Sequence, residues 1–339
     1  MPLKKIFIFL LTLCLLWGDI LAQDSHFSQF FVSPLALNPS YAGKFDGKYR
    51  FSGNFKKQWP LINNAFTSGA AALDFPILSN RIPEMDTWGV GLMAINDKSG
   101  NGILNNSFYS LSTAYTKSLD ENGFHQITVG FQGSFASKRI NMADANLEDE
   151  LTALGFTGVT RESFNGNPFS INYADINAGF MYALSTDGQN SFFLGTSVYH
   201  INRPSESFNA GSYLLNPRTT IHGGGYLPRG INDNIHFSFM HQIQGASSET
   251  LIGGAYSSGF LSNSDHQTEL HAGLWIRVGD AVIPYIGAEF NQLRIGISHD
   301  INLSGLTRAS YARGGSELSV IYTSGRKDPL NKKIHCPKF

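Results

Sequence analysis

Any chemistry in this chain would have to come from its histidines, its carboxylates and one glycine run. Their spacing matches no common catalytic arrangement. Ten histidines are scattered along the chain, and none falls in a His-Glu-x-x-His signature that would set two imidazoles on one metal. His200, His222, His236, His241 and His271 lie inside segments that read as strands, where they serve as polar lumen or interface positions rather than ligands. Asp144, Glu148, Asp149 and Glu150 concentrate carboxylates that calcium would accept. They lack the glycine and the alternating acids of a calcium loop, and read as a solvated charge run. Gly223-Gly224-Gly225 sits in a strand, not at a strand-to-helix turn, so it receives bulky neighbours or lets the backbone bend and does not cradle phosphate. A barrel enzyme with its site at the outer rim would recruit acids such as Asp144, Asp149 or Asp233, yet no His or Ser partner is indicated. The expectation is a protein with no catalytic residues, no metal and no cofactor.

The surrounding composition explains why. The chain is 42% hydrophobic, 13% aromatic and only 15% charged, with 35 glycines and a net charge of −1. A near-neutral chain has no concentrated basic face for nucleic acid. Low charge with abundant glycine and aromatics suits a wall of short strands with one face in lipid. Lys4 and Lys5 precede an apolar run over 6–17, and Leu21-Ala22-Gln23 offers a cleavage point, so residues 1–22 are expected to be a secretory signal peptide. The apolar run is too short to span a bilayer, which needs about 20 residues, and no later run of about 18 apolar residues occurs. Beyond residue 22, Cys336 is the one cysteine, which rules out an internal disulfide framework.

From residue 48 onward, side chains alternate with the period of two that belongs to strands. The pattern predicts strands over 49–59, 65–75, 88–96, 107–117, 126–137, 173–184, 191–201, 218–226, 235–244, 250–257, 269–278, 281–290, 293–300 and 316–322. Ile127, Val129, Phe131 and Phe135 alternate with Gln126, Thr128, Gly130, Gln132 and Ser134. Leu318, Val320 and Tyr322 alternate with Glu317 and Ser319. The second face is mostly small and neutral, as a confined lumen requires; a sandwich would show a charged face to water. Trp59, Trp88, Tyr109, Tyr115, Tyr199, Tyr226, Tyr256, Tyr285 and Tyr322 are the aromatics available for interface girdles. The predicted fold is therefore all-β: a transmembrane antiparallel β-barrel of about 14 strands in a bacterial outer membrane, its last strand closing on its first. The long connections, 138–172, 202–217 and 302–315, follow odd-numbered strands and fall on one rim. Residues 23–48 form an aromatic, proline-bearing periplasmic or plug segment, 49–323 the barrel, and 324–339 a periplasmic tail.

Three stretches go beyond composition. One is the opening, Phe27 to Gly43, ending Asn38-Pro39-Ser40-Tyr41-Ala42-Gly43 and followed by Gln58-Trp59. Another runs from Gly195 through His200 to Arg203-Pro204-Ser205. The third joins Trp275, Asp300 and Glu317 to the ending Cys336-Pro337-Lys338-Phe339. Together they resemble the PorP/SprF family of outer-membrane proteins of the type IX secretion system of Bacteroidetes, with Ser40 standing where Ala is usual. The resemblance implies an exported outer-membrane barrel that works with secretion and gliding machinery. It also implies support for the export or surface anchoring of a large adhesin-type partner, and brings no catalytic residues. Membrane lipid is the other expected partner, and a passive porin is the alternative function. The residues expected to touch the exported partner are the loop aromatics Phe156, Phe164, Phe169, Phe208 and Tyr213. For Phe27 to Gly43 both a plug and a partner contact stay open, and for Cys336 both packing and partner contact.

Overall fold

The protein is described from a computed structural model, which covers residues 24, 26–62, 66–79, 81–142, 145, 147–153, 155–161, 169–186, 190–208, 213–230, 232–263, 266–305 and 307–325. Residues 1–22, expected to be a signal peptide, and Asp144, Phe164, Cys336, Pro337 and Phe339 lie outside these residues. Fourteen antiparallel strands close into one barrel. In chain order they are β1 (Tyr49–Gln58), β2 (Phe66–Ile77), β3 (Thr87–Ser99), β4 (Leu104–Ser118), β5 (His125–Ile140), β6 (Phe169–Ser185), β7 (Ser191–Tyr199), β8 (Arg218–Arg229), β9 (Asp233–Gln244), β10 (Ser247–Asn263), β11 (His266–Arg277), β12 (Ala281–Phe290), β13 (Leu293–Asn302) and β14 (Arg313–Ser324). The closing seam is a full ladder from Tyr49↔Ser324 to Gln58↔Gly315, so no strand edge is left open. No helix among the described residues is long and apolar enough to cross a membrane; the strands do the crossing.

Alternation sets the two faces as expected. On β5, Val129, Phe131 and Phe135 are exposed, while Thr128, Gln132 and Ala136 are buried. Several strands run longer than their apolar period. In β4 and β5 the ladder continues through Asn105↔Arg139 and Asn106↔Lys138, because backbone pairing persists past the apolar band. Three tyrosines depart from the girdle assignment: Tyr199 and Tyr285 turn into the lumen and are buried, and half-buried Tyr226, paired with His236, shares the lumen face. Tyr109 lies near the middle of its strand, paired with Phe135, well away from either end.

The connections sort to two rims. The long ones, 141–168, 200–217 and 303–312, share the rim where β1 ends (the loop rim), and the opposite rim carries mostly short turns (the turn rim). The longest turn-rim connection, 78–86, is pinned rather than loose. Asp86 accepts hydrogen bonds from Tyr115 Oη (2.7 Å), Lys117 Nζ (3.0 Å) and the Ser118 amide (3.0 Å).

The lumen differs most from expectation. Alongside the mostly small, neutral residues expected, such as Ser112, Thr128, Asn177 and Ser197, it buries Trp275, Tyr285, Lys56, Glu317, His222, His236 and His271. Lys56, Glu317, His222, Trp275 and Tyr285 are tolerated because the N-terminal segment fills the barrel and supplies partners, whereas His236 and His271 meet residues of the wall. Phe30, Leu35, Leu37, Tyr41 and Ala42 from that segment pack in one cluster with Met93, Met181, Met240, Leu251, Trp275 and Tyr285 from the wall.

Candidate functional site: the plugged lumen and the loop rim

The N-terminal segment passes through the barrel from rim to rim. Asp24 lies at the loop rim. Its amide donates to Gln244 Oε1 (2.9 Å), and its carboxylate meets His200 Nε2 (2.7 Å) and Arg218 Nη1 (3.2 Å). Deeper, the amides of Ser28 and Gln29 donate to the Glu317 carboxylate at 2.7 and 3.1 Å. Asn54 Nδ2 donates to the same carboxylate at 2.8 Å. Phe31 lies against Trp275 and Tyr285, with ring centroids 4.8 and 5.6 Å away.

A short helix, α1 (Pro34–Leu37), then delivers the opening motif to the middle of the lumen. Asn38 accepts the Ser40 amide through Oδ1 (2.9 Å) and so caps the following turn. Its Nδ2 reaches the carbonyls of Phe180 and Thr196, both at 3.1 Å, and His222 Nε2 at 3.0 Å. Pro39 takes the first position of that turn, where its missing N–H costs nothing. The Tyr41 ring faces His222 at 5.5 Å. Gly43 holds φ +70° and donates its amide to Asp74 Oδ2 (2.8 Å), itself gripped by Arg50 Nε (3.0 Å) and Nη2 (2.8 Å). The wall is cut away to match. A Cβ on Gly89 would stand 2.0 Å from the Ala42 carbonyl oxygen, and one on Gly130 2.4 Å from the Ser40 nitrogen. Asn38-Pro39-Ser40-Tyr41-Ala42-Gly43 is thus a plug motif fitted to glycines on the facing strands.

Acid should loosen the loop-rim end of this plug. His26 Nε2 lies 3.5 Å from Glu249 Oε1 with 22% of the side chain still exposed. Attraction to Glu249 raises its pKa, but burial and the nearby Lys56 and Arg277 outweigh it and hold the imidazole down to about 4, below its usual 6.5. The docked ring is neutral where a released ring is protonated. This contribution is therefore complete above pH 6.5 and fades as pH falls toward 4. Burial pushes Asp24 up, but His200 and Arg218 prevail and set it below the ordinary carboxylate range, so its share is lost only at still lower pH. Allowing for the water-exposed fraction of His26, the expected loss from pH 7 to 4 is about 2 kcal/mol of docking energy. Protease accessibility of the first residues of the plug measures it; equal protection at both pH values would refute the coupling.

The loop rim holds the four described aromatics expected to touch a partner, Phe156, Phe169, Phe208 and Tyr213, without gathering them into one cluster. Phe156 is exposed in a small ladder that pairs Leu151 with Phe156. Phe169 is exposed at the start of β6, and Tyr213 is exposed beside Leu214. Phe208 is half-buried. The 200–217 loop is a folded-back hairpin. Ser205 bridges Leu214, the Glu206 amide donates to the Tyr213 carbonyl (2.7 Å), and the Leu215 amide donates to the Pro204 carbonyl (3.0 Å). Lys138 Nζ (3.0 Å) and Tyr173 Oη (3.1 Å) fasten Glu206 to the wall. Trp59, at φ +51°, donates its amide to the Gly314 carbonyl (2.7 Å), with its ring against Phe66. Asp149 accepts from Thr160 Oγ1 and the Arg161 amide (2.6 Å), so it stitches its loop. Of the histidines expected in strands, His222 binds the plug, as does His200, which lies just beyond the end of β7 at Tyr199. His241 faces outward and contacts Thr250 Oγ1 at 2.8 Å. His236 and His271 converge with Glu269, a grouping that linear spacing missed because its members come from separate strands.

A profile of the family described as type IX secretion system membrane protein PorP/SprF matches residues 20–322. No curated protein sequence matches the chain. Similar solved structures include the TodX deltaS2S3 mutant monoaromatic hydrocarbon channel, at TM-score 0.47 and 11% identity over 86% of this chain and 94% of that one. A Pseudomonas aeruginosa FadL homologue scores 0.45 at 10% identity over 84% and 92%. BamA from Haemophilus ducreyi lacking POTRA domains 1–3 scores 0.41 at 9% identity over 82% and 70%. Likenesses this distant say nothing of ligand or activity. The profile match covers plug and barrel together, and the chain belongs to the PorP/SprF family of type IX secretion system membrane proteins, an outer-membrane β-barrel.

Proposed function

We propose that the protein is a non-enzymatic platform of the type IX secretion and gliding machinery in the outer membrane of a Bacteroidetes cell. In this reading it supports export or surface anchoring of a large adhesin-type partner. The loop rim faces outward; the turn rim, and with it the 324–339 tail, faces the periplasm after removal of residues 1–22. The observation that carries the reading is the plug. A segment bonded to the wall from Asp24 to Gly43 makes the barrel a rigid plate, unsuited to passive diffusion, and leaves the loops as the surface on which a partner can dock. The partner contacts are Phe156, Phe164, Phe169, Phe208 and Tyr213, with the folded-back 200–217 hairpin offering Tyr213 at little ordering cost.

The test uses the ladder itself. Ile140 pairs with Phe169 at the loop-rim end of β5 and β6, so residues 141–168 can be replaced by a two-residue turn with the ladder below intact. The expected result is loss of surface retention of the exported partner, with heat-modifiable migration of the barrel unchanged. Normal retention by this variant would discard the loop as the docking element.

A further inference from the structure

We propose that His236, Glu269 and His271 form a binding site for a divalent transition metal, with zinc the best fit, inside the lumen near the turn rim. One ligand atom from each residue lies within 4.8 Å of the other two. A tetrahedral zinc with bonds of about 2.0–2.1 Å wants its ligand atoms roughly 3.3 Å apart, a contraction that side-chain rotation supplies. Two imidazole nitrogens and one carboxylate oxygen form a donor set that suits zinc, with a fourth position left for water.

The wall positions these donors by register. Glu269 and His271 are two residues apart on β11, so both face the lumen. His236 lies on β9, two strands away, a separation of about 9.6 Å between backbones. On the intervening β10, Ser257 pairs with His271 and the neighbouring inward residue Ala255 pairs with His236. Both are small, which lets the longer side chains meet above them; the imidazole centroids are 5.9 Å apart. Both histidines are buried, while Glu269 keeps partial access to the lumen.

The surrounding groups have the character of an outer shell. Asn234 Nδ2 donates to Glu269 Oε1 (2.9 Å), and Ser257 Oγ donates to the same oxygen. Ser257 Oγ also lies 3.2 Å from His236 Nε2. The hydrogen-bond donors holding Glu269 are therefore neutral and fix its orientation, while the Arg294 guanidinium attracts its charge from farther off. The next carboxylate, Glu289, is matched by Arg294, with contacts of 2.9 Å from Nε and 2.6 Å from Nη2. Its Oε2 stands 4.0 Å from His271 Nε2, longer than a hydrogen bond but in the direction of an outer carboxylate. The Tyr226 ring backs His236 at 5.0 Å. A metal here would clamp β9 to β11 across β10.

Full-length protein without a polyhistidine tag, purified in detergent and stripped with chelator, should retain about one zinc per chain after reloading and desalting. The double variant His236→Gln/His271→Gln should retain none, while the control His241→Gln retains zinc like the native chain. Because the double variant can fail to fold, Co²⁺ loading of the native chain gives a separate readout. A site of this geometry should show intense visible d–d absorption that excess zinc abolishes. Failure of the native chain to retain zinc, equal retention by the folded double variant, or a Co²⁺ spectrum of the aqueous ion would each overturn the site.

Discussion

Removing residues 24–43 should turn a barrel that passes little current into a conducting channel. The segment runs through the lumen from Asp24 at the loop rim to Gly43 near the turn rim. What remains without it is a lumen lined by Ser112, Thr128, Asn177, Ser197 and the charged side chains, and a polar lumen of this strand number fills with water. In planar bilayers the native chain should show at most rare openings, and the deletion stepwise conductance at least about tenfold higher. A gentler variant guards against a deletion that fails to assemble. Gly89→Val drives a side chain into the Ala42 carbonyl, which a Cβ would already approach to 2.0 Å. Overpacking costs about 1–3 kcal/mol where a neighbour can yield, and here the neighbour is backbone. This variant should show frequent openings at the same unit conductance. Native chain that conducts as freely as the deletion would return the protein to the porin class and remove the basis for a platform.

The barrel was readable in the sequence because closure imposes a strict period of two, and lipid demands apolar residues on one phase of it. Val129-Gly130-Phe131-Gln132 needs no tertiary knowledge to be sorted into faces. The strand ends were less readable: where Asn105 and Asn106 continue the ladder beyond the lipid band, pairing persists without any apolar signal. The lumen network was barely readable. Lys56, Arg277, Asp300 and Glu317 look in sequence like isolated charges on polar faces, and only closure brings together residues more than 200 positions apart. One signal was available: Gly89, Gly130 and Gly179 sit on inward-facing phases, which announces that something approaches the wall closely. The rim aromatics were identifiable by type, whereas the folded-back anchoring of the 200–217 loop rests on the Glu206 contacts with Lys138 and Tyr173, on two different strands.

Arg277→Met should destabilise the protein more than any loop substitution, and it should do so first at the loop-rim end of the plug. Arg277 is buried and serves four groups at once, Asp280 Oδ2 among them at 3.3 Å from Nη1. Nε meets Glu249 Oε1 at 2.7 Å, Nη1 meets Asp300 Oδ2 at 2.9 Å, and Nη2 donates to Ser28 Oγ at 2.9 Å. Lys56, at 3.7 Å from Asp300, is the second cation of this cluster, which also holds Glu317. With methionine in place of arginine, Lys56 is the one permanent cation among the described residues left to face Glu249, Asp300 and Glu317, with His26 beside Glu249, leaving buried negative charge undercompensated. Breaking a buried pair in this way costs about 3–5 kcal/mol, well above the 0–1 kcal/mol of an exposed pair. Ser28 loses one anchor at the same time, so residues 24–33 should become protease-accessible under conditions where the barrel itself still migrates as folded. Arg277→Lys, which keeps the charge but not the planar fork, should fall between the two. Adding Glu249→Gln to Arg277→Met should recover part of the loss, since it removes one of the stranded carboxylates; strictly additive losses would mean that Arg277 acts through packing, with charge irrelevant. If Arg277→Met leaves both the urea midpoint and the protection of the plug unchanged, the buried ion cluster is not what fastens the N-terminal segment to the wall.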